Sequence, residues 1–349
     1  MSSETATTTT GRSDRAVEAA RRSALRLAFG VTACFGVVEA FDWDVTFLAP
    51  LLAANMLVKL PRPPSLAQGA AVIALMALST GAVLMLTAAL IGKPAVLILA
   101  LALVMYLSFY AHRRGAPELA TLLVQLSAVT LPVVSVLSPD GADAFATTLV
   151  MAGIVALLTV WFAHAAFPAP EAATGETPVA GFAVTADAAM AARQALLDTL
   201  VLLPALAWFV LDASTVAVVV LIVIVTLLRQ HDSQQGQRAA LGLILGNLIG
   251  GVMAAAVYEL VLLGGTFLFF VMVCLAASLI FAGRIVTAGD RAPIYAIAFA
   301  TFILLLGLSL APLPASGGEL FLNRLLNVVL ASAYAIGGLS LVERWRSSS

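Results

Sequence analysis

Apolar residues run along this chain in long stretches, and most charged residues fall in the segments between them. A helix that crosses a bilayer needs about 20 mostly apolar residues. That length predicts twelve spans, at 25–41, 45–60, 66–91, 94–111, 118–137, 144–167, 194–211, 213–228, 239–263, 265–283, 292–312 and 320–342. The pairs 25–41/45–60 and 194–211/213–228 are short for two crossings each, but their breaks at Asp42-Trp43-Asp44 and Leu211-Asp212 read as tight turns. The rival reading is one bent or re-entrant segment per pair, which requires a protein-lined cavity. Residues 1–22 are Thr/Ser-rich and then basic, and are expected to form a disordered cytoplasmic segment before an uncleaved first span.

Composition agrees with this pattern. Apolar types make up 62% of the 349 residues and charged types 11%. A soluble fold lacks the polar residues to cover such a surface. Nucleic-acid binders, cytosolic enzymes and secreted disulfide modules are thereby excluded, and a net charge of −1 gives no pull towards nucleic acid. Charge also sets orientation. With both termini cytoplasmic, sixteen of the eighteen Lys/Arg fall on the cytoplasmic side, and only Lys93 and Arg324 lie outside. The outer turns carry Asp42, Asp44, Asp140, Asp143, Asp212 and Glu319.

Faint self-similarity divides the chain. A shift of 176 lays Ala116-Pro117 on Ala292-Pro293, 172 lays Ala19-Ala20-Arg21 on Ala191-Ala192-Arg193, and 168 lays Asp44 on Asp212. The fold class expected is an all-α integral membrane protein of about twelve helices, arranged as two tandem parallel six-helix repeats. Such copies would be related by an axis along the membrane normal. The units expected are 23–167 and 191–343, joined by a cytoplasmic linker at 168–190 and followed by a short tail at 344–349.

Ionisable groups inside hydrocarbon are costly and are candidates for function. Glu39, Asp44, Asp212 and Glu259 are candidates for a proton or substrate pathway, or else interfacial acids beside Trp43. Arg26 and Asp198 superpose under the 172 shift; they either form an ion-pair gate that admits an anionic substrate or snorkel separately to the interface. Asn323, Arg324 and Asn327 make a polar stripe for substrate contact, or for interhelical hydrogen bonds. Gly242, Gly246 and Gly250 repeat at four-residue spacing, which suits close helix packing. Three histidines, His112, His164 and His231, read as interfacial polar residues without metal-ligand spacing. No phosphate-binding glycine loop, nucleophile elbow or metalloprotease motif occurs, so no enzyme, cofactor or metal is expected.

The run Arg229-Gln230-His231, then Gln237-Arg238 leading into Gly242, Gly246, Asn247 and Gly250-Gly251, resembles the fusaric acid resistance / aromatic acid exporter family of bacterial inner-membrane proteins. Trp43, Lys59, Arg62 and Gly69 fit the same pattern more loosely in the first half. Many members hold a large soluble domain between the halves, where this chain has a short linker, as a compact branch would. The resemblance implies proton-driven efflux of aromatic carboxylic acids or related toxic amphiphiles. It further implies a periplasmic adaptor and an outer-membrane channel as partners; a homo-oligomer is a separate expectation that the residues leave open. A membrane scaffold subunit, or a transporter working in the uptake direction, remains the alternative. A reporter fused at residue 175 is expected to be active only on the cytoplasmic side; periplasmic activity would overturn the orientation.

Overall fold

The computed structural model describes residues 4–43, 45–116, 118–168, 187–211, 220–222, 224–225, 228–229, 236–310, 334 and 337–338. Ten α-helices are described: α1 (Glu4–Ala40), α2 (Leu48–Lys59), α3 (Leu66–Leu90), α4 (Pro94–Arg113), α5 (Glu118–Leu137), α6 (Pro139–Ala166), α7 (Ala188–Leu211), α8 (Gly236–Gly264), α9 (Phe267–Thr287) and α10 (Ala292–Leu310). A 3-10 turn at Gly289–Arg291 joins the last two. Among the described residues there is no strand, and nine helices are long and apolar enough to cross a membrane. The protein is an all-α, multi-pass membrane protein.

Helix α4 shows why lipid must surround these helices. Leu97, Leu101, Met105 and Phe109 recur every fourth residue and are buried, whereas Leu99, Leu103 and Leu107 on another face are 72%, 57% and 53% exposed. A helix that is apolar all round needs an apolar medium outside. Leu66, Leu78 and Met85 of α3 and Leu263 of α8 are likewise exposed.

Two expectations change at the ends of elements. Residues expected to be disordered up to 22 are helical from Glu4, because no proline interrupts 4–40. An i,i+4 pair, Glu18 with Arg22 at 2.8 Å, adds modestly to that helix. The second hairpin partner, α2, has 12 residues and is too short to cross by itself. The expected spans 213–228 and 320–342 lie almost wholly outside the described residues, as do the linker beyond Pro168 and the tail 344–349.

Chain contacts divide the molecule into two compact units. One comprises Met1–Leu66, Ala152–Thr177 and Gly242–Pro314; the other Ala67–Met151, Pro178–Leu241 and Ala315–Ser349. Each therefore takes the opening and closing parts of one sequence half and the middle of the other. In the first unit α1 packs against α2 and α9, and α10 packs against α9 and α2. The buried face of α1 is Leu27, Ala28, Val31, Cys34, Phe35 and Val38, spaced as a helix requires. In the second unit α4 packs against α5 and α7, and α5 against α7.

Small residues permit the closest approaches in the first unit. A methyl group on Gly246 would meet the Ile294 carbonyl at 2.9 Å and Ile297 at 2.8 Å, and one on Gly250 would overlap the Ala298 carbonyl. Gly242 faces Ile294 one turn earlier, so the three glycines lie along α10. Gly307 of α10 sits against the backbone of Phe47, and Thr46 donates its hydroxyl to the Gly307 carbonyl. Overpacking costs about 1–3 kcal/mol. Gly250→Val is expected to lower the thermal midpoint of the purified protein and its folded yield, whereas Gly283→Ala, with open space around its Cα, should leave both unchanged.

Candidate functional site

Helix ends place the polar groups. At the end of α1, Trp43 N–H donates to the Val38 carbonyl (3.2 Å) and Asp42 N–H to the Glu39 carbonyl (3.3 Å), with Asp42 at φ 54°. This is a Schellman stop with an aspartate in the left-handed position usually taken by glycine. Helix α4 ends likewise: Ala116 N–H donates to the Ala111 carbonyl at 2.9 Å, and Gly115 takes φ 84°. The first stop turns the chain at Glu39, and the second follows His112 and Arg113.

The second unit holds a buried polar network around that second stop. Arg113 Nη2 lies 2.7 Å from Asp198 Oδ2 on α7. Arg229 Nη1 donates to Gln125 Oε1 at 2.6 Å and to Thr121 Oγ1 at 3.1 Å, both on α5. Thr121 Oγ1 is 3.4 Å from His112 Nδ1, and the Ser108 hydroxyl donates to the Thr121 carbonyl at 3.2 Å. Thr121, Gln125, Asp198 and Ser108 are all buried, and Gln125 is wholly so. Its amide Nε2 has no hydrogen-bond partner among the described residues. Two guanidinium groups and an imidazole thus meet one carboxylate, one amide and two hydroxyls in this cluster. Such a site suits an anion.

The first unit has a smaller cluster at the end of α6. Arg26 on α1 is 8% exposed and donates from Nη1 to the Pro61 carbonyl at 3.2 Å. Trp161 Nε1 donates to the Pro64 carbonyl at 2.8 Å, and Arg22 Nη1 to the Pro168 carbonyl at 3.3 Å. The proline-rich loop between α2 and α3 thus exposes its carbonyls, which lack strand or helix partners of their own, to side chains of α1 and α6.

The structure scatters the expected site residues. Arg26 and Asp198 belong to different units, and each has a partner inside its own: Pro61 for Arg26 and Arg113 for Asp198. Glu39 is exposed at the end of α1, and Glu259 is exposed on α8. Asn247, next to the glycine stripe, accepts the Thr301 hydroxyl at 2.7 Å. Asp44, Asp212, Asn323, Arg324 and Asn327 lie outside the described residues. The sequence pattern does not single out Arg113 or Thr121, and it gives His164 only an interfacial character. The available signal was Gln125, a lone amide in an apolar run. Among the described residues no three His, Cys, Asp or Glu side chains come together as metal ligands.

Removing one member of a buried ion pair costs about 3–5 kcal/mol because it strands the other charge. Arg113→Ala is therefore expected to destabilise the protein strongly. A double-mutant cycle with Asp198→Ala, read by thermal unfolding, should recover most of that loss; additive effects would argue against a coupled pair.

Residues 199–337 match the family described as fusaric acid resistance protein-like, and residues 23–163 match a second, described as a protein of unknown function (DUF2955). Neither the search of curated proteins nor that of solved structures found a match. The chain is thus an all-α membrane protein whose second half is similar to the fusaric acid resistance protein-like family.

Proposed function

We propose that the protein is an inner-membrane exporter of aromatic carboxylic acids or related toxic amphiphiles. It draws on the proton gradient and works beside a periplasmic adaptor and an outer-membrane channel. The family match supports transport. The observation that carries the substrate class is the guanidinium of Arg229 held on Gln125 and Thr121 in a polar network that also includes His112, beside the Arg113–Asp198 pair. A guanidinium that already holds a neutral amide and a hydroxyl can exchange those weaker acceptors for a substrate carboxylate. Both termini are placed in the cytoplasm, so that the basic end of each unit receives substrate from inside.

Several polar candidates keep their proposed roles at the opposite end. Glu39, Asp44, Asp212 and Glu259 exchange protons there, and the stripe of Asn323, Arg324 and Asn327 contacts substrate. Arg26 and Asp198 keep a proposed role at substrate entry, each in its own unit.

The test is deletion of the gene, followed by susceptibility and accumulation assays over a panel of aromatic carboxylic acids, with complementation by variants at matched membrane level. A charge-assisted hydrogen bond is worth about 1.5–3 kcal/mol, so Arg229→Gln should lower export about 10- to 100-fold. Arg229→Lys, which keeps the charge without the planar fork, should fall between. Unchanged accumulation in the deletion strain would overturn the export reading, and full activity of Arg229→Gln would remove this site from it.

A further inference from the structure

We propose that Arg26 is an anion site and that filling it loads a proton onto His164. The proposal rests on the transport reading above and assigns its proton step to a residue that the reading does not use. The two side chains belong to helices packed side by side. Phe29 of α1 has its ring centroid 5.8 Å from that of Phe162 and 5.7 Å from that of Phe167. Gly30 faces Ala163, the residue before His164. Arg26 lies one turn before Gly30.

A guanidinium this deeply buried calls for a counter-charge. Among the described residues no carboxylate pairs with Arg26, whose hydrogen-bond acceptor is the Pro61 carbonyl. The planar fork presents further N–H donors, a geometry suited to two carboxylate oxygens. Beside it His164 is 6% exposed, with Nδ1 2.9 Å from the Val160 carbonyl oxygen. An oxygen acceptor there requires the hydrogen on Nδ1, so Nε2 carries the lone pair and is the atom that gains a proton. Nε2 is buried and has no hydrogen-bond partner among the described residues.

The charges around His164 set the coupling. Carbonyls of Leu60 and Pro61 lie beside the ring, and Arg26 is the cation that acts on it. The other charged groups on the surrounding elements are Glu4, Arg12, Asp14, Arg15, Glu18, Arg21, Arg22 and, at its far end, Glu39 on α1, Lys59 and Arg62 flanking the loop, Asp140 and Asp143 at the far end of α6, and Arg284, Asp290 and Arg291 at the end of α9. While Arg26 is uncompensated, a second positive charge beside it is opposed by Coulomb repulsion. A carboxylate on Arg26 removes that repulsion and leaves the Leu60 and Pro61 carbonyls to favour an Nε2 proton. One anion and one proton therefore bind together, with no net charge added and no covalent change.

The test uses the full chain in phosphatidylcholine nanodiscs, with benzoate as the probe. Calorimetry near pH 7 in two buffers of different ionisation heat reads protons taken up per benzoate bound. The wild type is expected to take up a substantial fraction of one proton. His164→Asn, which keeps a donor for Val160, should bind benzoate with that uptake lost, and Arg26→Gln should bind at least about tenfold more weakly. Histidine-selective 15N spectra of the unaltered protein, which has three histidines, give a second readout. One signal should move towards the charged form as benzoate is added. Unchanged uptake in His164→Asn, or no benzoate binding by the wild type, would overturn the proposal. So would a response only to added phosphatidylglycerol, which would make a lipid phosphate the anion. Export that persists in cells despite any of these results would leave the transport reading standing, whereas unchanged accumulation in the deletion strain would end that reading whatever benzoate does here.

Discussion

Hydrocarbon offers no hydrogen bonds, so every polar group in the spanning region must find its partner within the protein. That constraint explains both what is repeated and what is exceptional in this chain. Helices satisfy their own backbones, and their outer faces can be as apolar as their inner ones, as α4 shows with leucines on both. Helix stops are satisfied locally by Schellman turns at Asp42 and Gly115. Side chains that cannot be satisfied locally are drawn together, and the two polar clusters are where that happens.

The clusters solve the problem differently. In the second unit charge is met by charge and by amide: Arg113 takes Asp198, and Arg229 takes Gln125 and Thr121. In the first unit Arg26 takes a carbonyl freed by a proline-rich loop. Proline has no N–H and disfavours regular pairing around it, so a Leu-Pro-Arg-Pro-Pro loop supplies acceptors with few local claims on them. Both solutions gather N–H donors of arginine at the end of a helix.

Much of the fold was legible because span length is read directly from apolar run length. The α3, α4, α5, α6, α8, α9 and α10 spans fall within a few residues of their expected positions. The helical character of residues 4–22 was not, since a Thr-rich start has low intrinsic helix preference and little apolar pattern to reveal it. The site was only partly legible. Gln125 stood out as an amide in an apolar run, whereas the pairing of Arg113 with Asp198 depends on α4 meeting α7, 85 residues later in the chain. Superposing the halves lays Arg26 on Asp198, but the partners each finds in its own unit, Pro61 and Arg113, come from segments that this superposition does not reveal. His164 could not be distinguished by sequence because its surroundings come from three separate segments.

The interleaved make-up of the two units has a consequence for biosynthesis. Helices α1 and α2 leave the ribosome long before α9 and α10, against which they pack, and α3 to α5 must likewise await Pro178–Leu241 and the C-terminal segment. Neither body can mature as its own half is translated. Early helices must be held in the bilayer with their polar side chains unmatched until the late ones arrive, a natural demand for an insertase or chaperone. The gene split at the linker should likewise yield two fragments that mature only when made together.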